Sequence, residues 1–125
     1  MIFDTDVLIG YLRGNVKAAR AVDRAEKRCY SVVSYMELLQ GARDSREQKA
    51  IRSSLVALGL EMLPLSEEIG HRAAIYIEEY SLKVALCPMD ALIAATAVEN
   101  DLPLVTGNVK HFSVVRDIDL RVFRP

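Results

Sequence analysis

Cysteine is nearly missing from this sequence: Cys29 and Cys87 are the only two in 125 residues. A pair flanked by apolar neighbours is too few for the disulfide framework of a small secreted scaffold, and a reducing compartment is expected instead. Long hydrophobic runs are lacking as well, and no stretch approaches the ~20 apolar residues that crossing a bilayer takes. The opening Met1-Ile2-Phe3-Asp4 places an acid where an export leader would carry a basic patch. These absences lead to the expectation of a cytoplasmic protein with no membrane association. Charge of one sign is lacking too: 16 Lys and Arg stand against 17 Asp and Glu, a net of -1. Attraction to nucleic acid must then come from local patches rather than from a basic bulk. Finally, no repeat, low-complexity tract or Pro/Gly/Ser-rich linker interrupts the chain. With 51% hydrophobic residues spread from end to end, residues 1–125 are expected to form one domain with a sizeable core.

What is present is an alternation. Short apolar runs at Ile2-Phe3, Cys29 to Val33, Met62-Leu63, Leu104-Val105 and Val122-Phe123 are separated by longer stretches with helical spacing. That order predicts an α/β protein, an α/β/α sandwich built on a mainly parallel central sheet. Ile51, Leu55 and Leu58 share one helical face, as do Ile69, Ala73, Tyr76 and Tyr80. The stretch from Ala91 to Val98 is apolar all round, which predicts a helix enclosed by protein on several sides. Gly14, Gly41 and Gly59 each follow a helical run, where a residue tolerant of a left-handed backbone commonly ends the helix.

Acidic side chains recur where this alternation returns to one edge. Asp4 follows the first strand directly, and in open parallel sheets the carboxyl ends of strands face the ligand crevice. Glu37 lies in the helix after the second strand, Asp90 opens the central helix, and Asn108 sits just past the Leu104-Val105 strand. Carboxylates gathered on one rim repel one another unless a cation compensates. Magnesium is the natural compensator, because it takes oxygen ligands and binds through one or two carboxylates together with substrate phosphate oxygens. Such a site suits phosphodiester hydrolysis by a metal-activated water. No paired His and Cys ligands are present, which argues against zinc.

Each residue also has a plainer reading. Ser34 and Glu37 fit a capping box, Asp4 fits a helix cap, Asp90 fits the positive end of its helix, and Asn108 after Gly107 fits a turn. Taken singly these readings are the better ones; the joint placement favours a site.

The residues carrying that placement form ordered motifs: Ile2-Phe3-Asp4-Thr5-Asp6-Val7-Leu8-Ile9, Ser34 to Gly41, Asp90 to Ala97, and Leu104 to Asn108 followed by His111-Phe112. Together they resemble a PIN domain of the VapC toxin type, a ribonuclease of type II toxin-antitoxin systems, and the resemblance spans essentially the whole chain. It implies an endoribonuclease dependent on Mg2+ or Mn2+ that cuts structured RNA, a homodimer, and a VapB-type antitoxin as partner. Position by position, Asp4, Glu37 and Asp90 match the family's metal-binding acids and Asn108 its fourth catalytic position. Thr106 matches the hydroxyl residue that supports the site. Asp6 stands where Asn is common in the family; it adds a carboxylate to the rim or only hydrogen-bonds the backbone beside Asp4, and the second reading is the one taken. Asn108 brings no charge, so a second ion should bind weakly without substrate.

Arg43, close after Glu37, is the candidate for gripping a substrate phosphate. Lys17, Arg20, Arg24 and Lys27 fall in one helical sector with Asp23 and Glu26 interleaved, and a solvated face is expected there. His71 in a helix and His111 in a loop have no spacing partner and are read as structural. Val7, Leu8, Tyr11 and Leu12 are read as core, with an antitoxin groove as the alternative that the resemblance raises. Three other functions compete. An aspartyl-phosphate phosphatase would explain Asp4-Thr5-Asp6, but the lysine and late acidic pair it needs are missing. A receiver-like signalling domain would need an aspartate ending a middle strand, where Ser34 and Pro64 stand instead. A PIN-like binding partner in RNA processing fits the same residues and is separated only by assay.

Overall fold

A computed structural model describes residues 1–125. All five anticipated strands are present: β1 (Ile2–Phe3), β2 (Cys29–Ser31), β3 (Glu61–Leu63), β4 (Leu104–Thr106) and β5 (Leu120–Val122). They form one sheet in the order β3-β2-β1-β4-β5, and every neighbouring pair is parallel. The chain therefore runs outward in one direction from β1 to β3, then crosses back to lay β4 on the other side of β1. Between β1 and β4 lies the switch point where ligands of open α/β sheets bind.

Side chains alternate across the sheet, and that alternation divides the core. Ile2, Cys29 and Leu104 point to a layer made by α5 (Glu67–Tyr80), α6 (Pro88–Glu99) and α7 (Val109–Phe112). Phe3, Tyr30 and Val105, one residue further along each strand, point to the opposite layer. There α1 (Thr5–Leu12), α2 (Val16–Arg24) and α4 (Ser45–Ala57) supply Val7, Leu8, Val22 and Leu55. The helix α3 (Val32–Gln40) bridges the two layers, giving Val33 to the first and Leu38 to the second. Phe3 is fully buried, and a side chain of that size contributes about 1.5–3 kcal/mol through burial.

The enclosed helix is α6: from Ala91 to Ala97 only Leu92 is not buried, as the all-round apolar pattern predicts. Ile69, Ala73 and Tyr76 bury one face of α5, and Leu55 does so for α4.

Several boundaries differ from expectation. Val32 and Val33 belong to α3 rather than to a longer β2, because the buried Ser31 hydroxyl caps the helix by accepting from the Val33 N–H at 3.0 Å. Gly14 and Gly59 adopt left-handed backbones, at φ 85° and 68°, after α1 and α4. Gly41 instead ends α3 at φ -76°, a conformation open to any residue. Lys27 lies beyond the end of α2, so the basic sector is shorter than expected, and all its cations face solvent. Cys29 is buried, but Cys87, expected among apolar neighbours, is exposed at the start of α6; both are free thiols.

Candidate active site

Asp4 leaves β1 and caps α1, so it stands at the carboxyl edge of the sheet beside the switch point. Its side chain is 6% exposed, and both oxygens are engaged. The Thr5 backbone N–H donates to Oδ1 at 2.8 Å, and the Thr106 hydroxyl, from the end of β4, donates to Oδ2 at 2.6 Å. The plain capping role thus accounts for one oxygen only. Burial is the largest influence on its acidity and, with the charges of Asp6 and Asp90, outweighs the two hydrogen bonds, so the carboxyl is pushed up to about 6. The charge of Asp90, in the first turn of α6, is the least of these influences and acts in the same direction as burial.

Glu37 does not cap its own helix. Ser34, its expected capping-box partner, lies inside α3 and is buried, since Ser31 is the N-cap. Glu37 Oε1 instead accepts from the Thr5 hydroxyl at 2.7 Å, and that hydroxyl lies 2.9 Å from Ser34 Oγ. Thr5 therefore connects Glu37 on α3 to Asp4 through one residue's side chain and backbone.

The other arm runs through β4. Thr106 Oγ1 accepts the Asn108 backbone N–H at 3.0 Å while donating to Asp4. Asn108 precedes α7 but makes no side-chain cap, so its turn position does not account for its amide. That amide nitrogen lies 3.0 Å from Nδ1 of His111, and the same Nδ1 lies 3.2 Å from Oδ2 of Asp90 in the first turn of α6. One polar chain consequently runs Glu37, Thr5, Asp4, Thr106, Asn108, His111, Asp90. His111, expected to be structural and to lie in a loop, sits in α7 and joins two of the candidate residues. Its signal in the sequence was its place one helical turn beyond Asn108, a spacing that brings side chains together. His71 remains an exposed residue of α5, outside this chain.

Asp6 Oδ2 accepts the Gly107 N–H at 2.9 Å, tying α1 to the turn after β4. Burial raises its pKa while that N–H opposes the rise. A Cβ on Gly107 would stand 2.9 Å from Asp6 Oδ2 and 3.1 Å from the Phe123 carbonyl oxygen, so the turn needs glycine for space.

The donors on this rim are hard oxygens, suited to a hard divalent cation. No three acidic, His or Cys side chains stand close enough to cage an ion unaided. The set fits a cation held by one or two carboxylates with water and substrate oxygens, as magnesium usually is. A groove of ≈ 580 Å3 is lined by apolar Ile9, Leu12, Leu38 and Ile51 and by two opposed pairs of charges, Glu37 and Glu47 with Arg13 and Arg43. Val7 and Leu8 of the same helix are core; Leu12 is groove, and Tyr11 is only partly buried. Arg43 is exposed and its Nε donates to Glu47 at 2.5 Å. A second cleft of equal volume, lined by Arg72, Tyr76, Glu99 and Asp117, contains none of the site residues. Of its two arginines, Arg72 is already paired with Glu99 and Asp117.

A parallel five-stranded sheet covered by helices on both faces defines the class, an α/β sandwich. The chain belongs to the PIN domain family, whose model matches residues 1–117. It is 34% identical over 122 residues to ribonuclease VapC10 of Mycobacterium tuberculosis, covering 94% of this chain and 90% of that one. A toxin-antitoxin complex from Klebsiella pneumoniae contains a chain of similar structure, with a TM-score of 0.79 and 28% identity, covering 94% of this chain and 93% of that one. VapBC2 from Rickettsia felis, bound to a promoter DNA fragment, shares the fold at a TM-score of 0.85 and 18% identity over 99% and 100% of the respective chains. No helix of the protein is long and apolar enough to cross a membrane.

Proposed function

We infer that this protein is a magnesium- or manganese-dependent endoribonuclease, the toxin of a toxin-antitoxin pair, acting in the cytoplasm as one domain over residues 1–125. The observation that carries the reading is the run of polar contacts, none longer than 3.2 Å, along which Glu37, Asp4, Asn108 and Asp90 lie on four separate elements. Its similarity to ribonucleases of the VapC group supports RNA as the substrate.

One or two of Asp4, Glu37 and Asp90 would hold the cation, with water and substrate oxygens completing its shell and the amide oxygen of Asn108 beside them. When bound, such an ion neutralises charge on a phosphodiester and activates a water for attack. Thr5 and Thr106 fix the Asp4 carboxylate in one orientation, so it meets a cation without reorganising. Asp6 holds the Gly107 turn and thereby the start of the Asn108 segment. Arg43 lines the groove that contains Glu37, where it contacts an RNA phosphate once it releases Glu47.

The groove between α1, α3 and α4 is the docking surface for an antitoxin of the VapB type. Apolar Ile9, Leu12, Leu38 and Ile51 line it, which suits the apolar face of a partner segment. Occupation there covers Glu37 and Arg43 together. The active assembly is a homodimer.

Purified protein is incubated with total RNA in magnesium, with chelator, and as Asp4→Asn and Asp90→Asn. Cleavage is expected only for the unsubstituted protein with free divalent ion; cleavage that survives chelation or either substitution rejects the nuclease reading. Expression in growing cells is expected to arrest growth, with relief on co-expression of a small partner encoded beside it.

A further inference from the structure

A single atom of the site faces two candidate ligands: Nδ1 of His111 lies 3.0 Å from the Asn108 amide nitrogen and 3.2 Å from Asp90 Oδ2. A ring nitrogen either carries a proton and donates or presents a lone pair and accepts, so it cannot serve both neighbours at once. With the ring proton on Nε2, Nδ1 accepts from the Asn108 NH2 group. Two consequences follow for this geometry. The Asn108 amide is locked with its oxygen free of any protein donor, since the only side-chain partner of that amide is His111. Asp90 Oδ2 keeps its lone pairs available instead of sharing them with an imidazole proton. With the proton on Nδ1, the ring donates to Asp90, and the Asn108 amide loses the acceptor that fixes which end faces the rim.

Nothing else orients this amide. Asn108 makes no side-chain cap on α7, and its backbone, at φ -88° and ψ 59°, belongs to no regular element. Thr106 holds only the Asn108 backbone N–H and leaves the amide free to turn. His111 is half-enclosed, with 30% of its side chain exposed, and Phe112 beside it is fully buried, which anchors the short helix that carries the ring.

We propose that His111 is a positioning residue, which by accepting from the Asn108 amide at Nδ1 turns the amide oxygen toward the rim and leaves Asp90 Oδ2 unshared. The proposal rests on the reading of this rim as a divalent-cation site. His111 itself touches neither cation nor RNA; it acts through the Asn108 amide, as the groups that orient metal ligands commonly do.

The test is Mn2+ binding to the purified protein without RNA, measured by calorimetry, beside RNA cleavage across a magnesium titration. His111→Ala and His111→Leu both remove the acceptor, and the leucine keeps volume against Phe112. Both are expected to weaken Mn2+ binding about 10–100-fold. Half-maximal cleavage moves to correspondingly higher magnesium, while melting in chelator stays within a few degrees of the unsubstituted protein. His111→Asn keeps an acceptor near the Nδ1 position and is expected to restore most of the affinity. In a cycle with Asn108→Ala, the second substitution adds little, because the histidine works through the amide. Unchanged Mn2+ affinity in both His111→Ala and His111→Leu, or full additivity with Asn108→Ala, overturns the proposal while leaving the nuclease reading in place. An unsubstituted protein that binds no Mn2+ and cleaves RNA in chelator overturns both.

Discussion

The Asp4 carboxylate and the Thr106 hydroxyl, 102 positions apart in the chain, meet at 2.6 Å across the boundary between β1 and β4. Thr106 has no exposed surface, and its oxygen serves two partners, donating to Asp4 and accepting from the Asn108 N–H. Replacing it by valine keeps the shape and removes both bonds. Thr106→Val is expected to lower stability by about 1–3 kcal/mol, the cost of stranding buried polar groups. Urea unfolding checks this, with Thr106→Ser recovering most of the loss; a valine variant as stable as the parent would show that the bond carries no weight.

The acidity of Asp4 predicts how stability depends on pH when the ion is chelated. Its folded-state pKa of about 6 lies above the ordinary 3.8, chiefly through burial. Between these values the folded chain holds more of the proton than the unfolded chain does. Stability from this group is therefore present at the acid end and is lost as pH rises toward 6. The shift of roughly 2 units corresponds to about 3 kcal/mol, as an upper bound. Unfolding at about pH 4.5 and 7 in chelator is expected to show a larger drop for the parent than for Asp4→Asn. Equal drops would mean that Asp4 titrates normally.

Gly107 is held between Asp6 and Phe123, and a methyl group there meets Asp6 Oδ2 at 2.9 Å and the Phe123 carbonyl at 3.1 Å. Gly107→Ala is expected to cost about 1–3 kcal/mol and to displace the start of the Asn108 segment, reducing cleavage. Adding Asp6→Ala relieves the closer contact, so the double variant should be more stable than the sum of the single losses. Simple additivity, measured by thermal melting, would contradict this packing.

Arg43 sits on the surface in an ion pair with Glu47 one helical turn away, an arrangement that contributes little to folding. Arg43→Ala is expected to leave the melting temperature nearly unchanged and to raise KM for RNA severalfold with kcat preserved. A fall in kcat at constant KM would place the residue in the chemical step instead.

The strands were legible from short apolar runs, and the central helix from the all-round apolar stretch Ala91 to Val98, because burial on both faces leaves a direct mark on residue choice. Asp4 and Asp90 were legible as rim residues because chain order fixes where strands end and helices begin in a parallel sheet. The hydrogen-bond partner of Glu37 was masked by local chemistry: Ser34 and Glu37 spell a cap, yet the cap is Ser31 and the partner of Glu37 is Thr5, 32 positions earlier. His111 was hidden because its partner Asp90, 21 positions earlier, comes within reach only when α7 docks beside α6.

By itself the amino-acid sequence determined the sheet, its helical cover and the acids that reach its rim, since periodicity and strand order act over short stretches of chain. Only the tertiary structure decided what each rim side chain touches: Thr5 with Glu37, Asp6 with Gly107, His111 between Asn108 and Asp90. Hydrogen bonds depend on ångström-scale distance and direction. Those are set by how whole helices pack on the sheet, and no local spacing of residues encodes them.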